Sequence, residues 1–197
     1  METSEREMTM HKFSPENWLR LENEERRKLL PPDVLLQKFG LKQGMTFVDI
    51  GAGTGYFSRE AMNIVGKEGK VFAADMSTDM IEFLRGRGVP PEVSVLQSEE
   101  YHIPLEDSAA DLTWIAFVTH ETPEVRRFVD EAVRLTRNGG KVVILEWKKQ
   151  SEERGPAMNE RLDKEDLKKE LGGLRVASEG SLNPSHYYLE IEIQKQN

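Results

Sequence analysis

Asp49 ends a short apolar run, and Gly51, Gly53 and Gly55 follow at once in the stretch FVDIGAGTGYF. Glycine at alternate positions costs backbone entropy. The pattern therefore belongs where a chain bends sharply or lets another molecule approach its backbone. A second carboxylate, Asp75, ends KVFAAD, and Met76 stands directly behind it. An ionised carboxylate only accepts hydrogen bonds, so each of these acids requires donors. His120 and Glu121, then Glu146 and Trp147, follow later apolar runs. His120-Glu121 has no second histidine at helical spacing, so it is not a metalloprotease motif, and no metal site is expected. The chain contains no cysteine. That removes thiolate nucleophiles, cysteine zinc sites and disulfides together. No nucleophile–base–acid constellation stands out.

These residues need elements to hold them. From Met45 onward short apolar runs alternate with helix-period segments. TFVDI, KVFAAD, EVSVLQ, DLTWIAFV and KVVILEW read as five strands. They are apolar nearly throughout, which marks a parallel sheet covered on both faces. Phe57, Ala61, Ile64 and Val65 recur at helical spacing, and Gly66 closes that helix. STDMIEFLRGRG reads as a helix capped by Ser77. Thr122-Pro123 opens another helix, with Val125, Phe128, Val129, Ala132 and Val133 as its buried stripe, and Asn138-Gly139-Gly140 ends it. Asp163 caps a further helix, with Leu162 and Leu167 placed for a hydrophobic staple. LRVASEG and HYYLEIEIQ are joined by SLNPS alone, too short for a parallel crossover, so they are expected to form an antiparallel hairpin. Strand–helix alternation gives right-handed crossovers and a doubly wound α/β fold. Before this core, Ser14-Pro15 opens a polar helix expected to reach Leu30, showing Trp18, Leu21 and Leu29 on one face. Pro31-Pro32 breaks it, and DVLLQKFG makes a short helix stopping at Gly40. One domain over 1–197 is expected: a helical segment at 1–40, a candidate lid carrying His11, Phe13 and Trp18, and a core at 41–197.

In open α/β sheets ligands sit beyond the carboxyl ends of the strands, which is where the glycine loop falls. A dinucleotide site uses G-x-G-x-x-G. Here the order is Gly51-Ala52-Gly53-Thr54-Gly55-Tyr56, and Tyr56 stands where the last glycine belongs. A Walker loop is excluded, because no Gly-Lys-Ser/Thr follows. The pattern D-x-G-x-G-x-G resembles motif I of the class I S-adenosylmethionine (SAM)-dependent methyltransferases. More closely, the chain resembles the methyltransferase type 11 group typified by the ubiquinone/menaquinone-biosynthesis enzymes. The resemblance runs from about Leu30 to Leu171. VFAADMSTDMI resembles the family's second-strand segment, LQSEEYHIPLEDSAADLTWIAFVTH its G-D-A-x-x-L-P-F-x-D-x-x-F-D stretch, and LTRNGGKVVILEW its K-P-G-G turn.

The resemblance implies a Rossmann-like seven-stranded sheet, order 3-2-1-4-5-7-6, with the last strand antiparallel. It implies SAM as cofactor. Asp49 would help fix the methionine end, beside the backbone of Gly51, Ala52, Gly53 and Gly55. Asp75 would take both ribose hydroxyls and Met76 would touch adenine. Ser98 and Glu99 stand where the family has glycine and an adenine-binding aspartate, and Ala116, within the fourth strand, is a further cofactor-binding candidate. Ser98, Glu99 and Ala110 (where the family has phenylalanine) depart from the pattern. His120 resembles the family's histidine after the fourth strand. It is the catalytic candidate, touching substrate or acting as base, with a plain loop histidine as the other reading. Glu146 and Trp147 are candidates to wall the acceptor pocket. His186, Tyr187 and Tyr188 read as hairpin packing, and His102 as a surface-loop residue.

Methyl transfer is an in-line displacement at carbon, governed mainly by positioning. The expected reaction is therefore SAM-dependent methylation of a small molecule without an obligatory base. Two alternatives stay open: a non-catalytic SAM-binding protein, and a nicotinamide-dependent oxidoreductase on the same fold class. The formal net charge is −8. A nucleic-acid footprint needs a basic face, so none is expected. METSEREMTMHKF lacks the apolar core of a secretory signal, and no run approaches the length of a membrane span. A cytoplasmic protein is expected, with a homo-oligomer-completed site as one option. The run KKQSEERGPAMNERLDKEDLKKE reads as a solvated loop and helix face, or as a segment that orders on substrate binding.

Overall fold

A computed structural model describes residues 24–195. The expected helix opening at Ser14-Pro15 and the lid residues His11, Phe13 and Trp18 lie outside them.

Seven strands form one sheet: β1 (Thr46–Ile50), β2 (Lys70–Asp75), β3 (Ser94–Gln97), β4 (Ala110–Ala116), β5 (Thr136–Trp147), β6 (Val176–Ser181) and β7 (His186–Glu192). The order is β3-β2-β1-β4-β5-β7-β6. β1 pairs parallel with β2 and β4, and β7 runs antiparallel to both β5 and β6. The reversed strand follows from the short hairpin loop, which lets β7 enter between β5 and β6. Its first residue, His186, thus lies opposite Trp147 at the carboxyl end of β5.

Each face of the sheet carries a core, because successive side chains of a buried strand point to opposite sides. Phe47, Trp114, Val143 and Leu145 face one way, under α2 (Pro32–Lys38) and α3 (Tyr56–Val65). Val48, Ile50, Ile115, Ile144 and Leu189 face the other, under α5 (Val125–Leu135) and α6 (Lys164–Glu170). A short α1 (Glu24–Leu29) precedes α2, and α4 (Thr78–Phe83) follows β2. Among the described residues no helix is long and apolar enough to cross a membrane.

Several boundaries differ from the sequence reading. In the first helix Leu29 is exposed and Leu30 is buried. The helix after Ser77 stays α-helical only to Phe83, then widens into a π-helical turn over Leu84–Gly88. Two glycines there lack the side-chain restraint that would hold a regular helix. β4 stops at Ala116 because Phe117 adopts φ +64°. Asn138-Gly139-Gly140 does not end α5; the helix stops at Leu135, where the Thr136 hydroxyl donates to the Ala132 carbonyl at 2.7 Å. The Asn-Gly-Gly segment is instead a bulge inside β5, with Gly139 at φ +75°. Val133 is only partly buried, and Leu135 completes the stripe.

The 148–163 connector is not simply solvated. Arg161 is 2% exposed, and its guanidinium donates to the carbonyls of Pro156, Lys148, Gln150 and Arg154. A buried cation is tolerable only when its donors are satisfied this completely. The connector is therefore wound around one side chain.

Candidate functional site

β1 delivers the glycine loop to the carboxyl edge of the sheet, and β2 delivers Asp75 beside it. The N–H groups of Gly51 and Ala52 both donate to the Ala74 carbonyl, at 2.9 and 3.0 Å. Gly53 N–H donates to Asp75 Oδ2 at 2.9 Å, and Ser77 N–H to Oδ1 at 2.9 Å. Asp75 therefore fixes the loop, a role that its place in the sequence did not signal. Each of its oxygens keeps accepting capacity. Burial pushes the Asp75 carboxyl up, and the N–H groups of Ser77, Gly53 and Met76 pull it partly back.

Gly51, Gly53 and Gly55 have φ of +69°, +54° and +79°. A Cβ on Gly51 would lie 2.7 Å from Val118 Cγ1, and one on Gly55 would lie 2.4 Å from Val89 Cγ1. These two glycines are required by the protein's own packing. The sequence reading gave their bareness to a sharp turn and an approaching ligand, not to these two valines.

A cleft of about 610 Å³, open to solvent, runs along this edge. Gly51, Asp75, Met76, Ser98 and Glu99 all line it, so residues from the ends of β1, β2 and β3 converge there. Met76 is 41% exposed. Ile103, Val118, Phe128 and Glu131 line it too. Phe128 reads in sequence only as core, and nothing marked Glu131. Its carboxylate accepts from Ile103 N–H at 2.7 Å and pairs with Arg134.

Asp49 does not line the cleft. It alternates with Ile50, so it points to the opposite face of the sheet, where Ser58 of α3 donates to it at 2.5 Å. It is 2% exposed. Burial pushes its carboxyl up to about 7; Ser58 opposes that rise and the nearby Asp75 charge adds to it. Ala52 is buried behind the loop, and Ala116 packs partly buried against the first core. His102 is on the surface as read, 3.8 Å from Glu131.

The loop after β4 brings His120 to Glu146 at the end of β5. His120 Nδ1 lies 3.0 and 3.1 Å from the two Glu146 oxygens, and its backbone N–H donates to Oε1 at 3.2 Å. Glu146 is fully buried and also accepts from Trp147 N–H. Burial alone would lower the His120 pKa, but Glu146, with Glu121 and Glu160, outweighs it and raises it. With a carboxylate at Nδ1, the other ring nitrogen, Nε2, is turned toward Glu121 Oε1, 4.0 Å away. The sequence reading proposed both residues separately; only the fold makes them a pair.

Across from this pair the rings of Phe117, Trp147 and His186 meet, with centroids 4.2–5.9 Å apart. The Arg26 guanidinium, from α1, lies 4.4 Å from the Tyr56 ring centroid and 5.9 Å from that of Phe117. Arg161 stacks 5.0 Å from the Trp147 ring. His186 is thus packed, buried, against Phe117 and Trp147 at the carboxyl end of β5.

The family model described as a methyltransferase domain matches residues 48–144. A SAM dependent methyltransferase from Aquifex aeolicus is 31% identical and superposes with a TM-score of 0.84, covering 91% of this chain and 98% of that one. The chain belongs to the SAM-dependent methyltransferase family. Among curated relatives, the ubiquinone/menaquinone biosynthesis C-methyltransferase UbiE of Haemophilus ducreyi is 30% identical over 114 residues. That stretch is 56% of this chain and 44% of the relative, so the chain spans under half the length of that methyltransferase. The [4+2]-cyclase SpnF shares the fold at TM-score 0.71 and 16% identity, covering 88% of this chain and 84% of that one. Within this family's architecture, then, fold alone does not fix the reaction.

Proposed function

We propose that this chain is a methyltransferase that takes SAM as cofactor and methylates a small molecule. The observation that carries the reading is the convergence of Gly51, Asp75, Met76 and Ser98 on one cleft at the switch point of the sheet. Bound SAM would supply a methyl carbon activated by its sulfonium, open to in-line displacement by an acceptor.

The chain's residues suit that cofactor. Asp75 offers carboxylate oxygens that keep accepting capacity beyond the loop contacts to two vicinal hydroxyls. Ile50, Met76 and Val118 give apolar walls for a purine, with Ser98 and Glu99 at its polar edge. Asp49 acts from behind the loop: bound to Ser58, it supports the backbone that would hold the cofactor's methionine end. Gly53 and Gly55 shape the loop, and Ala52 and Ala116 support it from the core side. His120, oriented by Glu146, is placed to hold or accept a proton from the acceptor. Positioning the acceptor in line can supply about 7–11 kcal/mol of barrier reduction.

Titration calorimetry with SAM, S-adenosylhomocysteine and NAD tests the cofactor. Both sulfur nucleosides should bind and NAD should not; NAD binding alone would return the oxidoreductase reading. Conversion of SAM to S-adenosylhomocysteine that depends on an added acceptor then separates an enzyme from a SAM-binding protein.

A further inference from the structure

His186 opens β7 and lies opposite Trp147 of β5. Its Nδ1 is 2.9 Å from Asn183 Oδ1. That oxygen also accepts from Ser185 N–H and His186 N–H, at 2.9 and 3.0 Å, while Asn183 Nδ2 donates to the Leu29 carbonyl at 2.9 Å. The amide orientation is thereby fixed by four contacts. Nδ1 must carry the proton, and Nε2 must present a bare lone pair.

Nε2 is buried and meets no donor among the described residues. The residue is 2% exposed. Leaving a buried acceptor unpaired costs about 1–3 kcal/mol, so a retained one points to a partner. Burial holds the imidazole neutral, with its pKa pushed down to about 4. The surroundings describe that partner. The Phe117 and Trp147 rings, both partly exposed, stand 4.9 and 4.2 Å from the imidazole. Gly155 passes bare against the Trp147 ring, where an added Cβ would lie 2.8 Å from it. Phe117 is one of two described non-glycine residues at positive φ. Such strain is often stored where a side chain must be aimed.

We infer that His186 Nε2, between the Phe117 and Trp147 rings, is the specificity subsite that accepts a hydrogen bond from an N–H or O–H group of a small planar substrate. The inference rests on the methyltransferase reading above for calling that substrate the methyl acceptor, and the ligand enters by displacing the Phe117 ring. His186 positions the acceptor; His120, on the neighbouring strand ends, remains the separate proton-handling group.

Phenol and anisole are suitable probes, since they match in ring and differ in the donor. With the full chain and S-adenosylhomocysteine present, phenol should bind about tenfold more tightly than anisole. It should also move the wild-type His186 Nε2 ¹⁵N resonance toward the protonated range, and anisole should not. H186F should erase the preference while binding S-adenosylhomocysteine within twofold of wild type. Equal binding of the two probes, binding of neither, or a preference kept in H186F overturns the subsite. Should H186F fail to fold, the wild-type ¹⁵N signal decides alone. S-adenosylhomocysteine binding without a phenol effect sinks the subsite only. A phenol effect without S-adenosylhomocysteine binding sinks the methyltransferase reading only.

Discussion

Asp49 and Asp75 stand on neighbouring strands and do different work. Asp75 faces the cleft and anchors the loop, so Asp75→Ala removes both a ligand acceptor and the Gly53 contact. SAM affinity in that variant should fall by about 1.5–3 kcal/mol, read by calorimetry; unchanged affinity would contradict the ribose role. Asp49 is a buried acid whose pKa rises from 3.8 to about 7 on folding. Between those values the folded state keeps a proton that the unfolded state has lost. Stability therefore falls as pH rises from about 4 to 7 and levels off above that, by an amount on the order of 4 kcal/mol. Asp49→Asn should flatten this slope in thermal melts between pH 5 and 8, and it should be the more stable protein at pH 8 without ligand. An identical slope in wild type and variant would show that the carboxyl is not buried as described. The period-two alternation that turns Asp49 away from the cleft was available in TFVDI from the start. The motif resemblance drew attention to the residue type rather than to the face.

Among elements, the glycine loop shows what sequence can and cannot assign. The three glycines and their place after the first strand were legible, because positive φ and a sharp strand-to-helix turn leave few other residues. What they avoid was not legible: Val118 comes from the loop after β4 and Val89 from beyond the π-helical turn. Gly55→Ala should destabilise the ligand-free protein by about 2–4 kcal/mol in urea melts, from left-handed strain plus overpacking against Val89. If it lost only cofactor affinity and no stability, the loop would be bare for the ligand alone. The hairpin and its reversed strand followed from the short SLNPS loop, whereas the strand order came from the family resemblance. The bulge at Asn138-Gly139-Gly140 did not, since the same three residues write a helix stop equally well. The His120–Glu146 pair was likewise out of reach, because their 26-residue separation carries no spacing signal.

For the whole molecule, two cores on one sheet account for the alternation of buried side chains along β1, β4 and β5. The segment least predicted was the connector after β5. Its composition is that of a solvated run, yet Arg161 gathers four carbonyls and stacks on Trp147. Arg161→Ala should cost about 2–4 kcal/mol of stability by denaturant titration, because the freed carbonyls lose a charged donor. It should also alter Trp147 fluorescence. A neutral result would mean that the connector needs no anchor. One arginine among many acidic neighbours gave no hint of that burial.

The hairpin has a further effect on the order in which the molecule is made. Every cleft residue has been joined to the chain once Glu131 is synthesised, whereas the aromatic cluster waits for the chain to reach His186 and for Asn183 to clasp the Leu29 carbonyl, 154 residues back. The cleft is thus complete in sequence long before the ring cluster around His186. A growing chain released early would carry the first without the second.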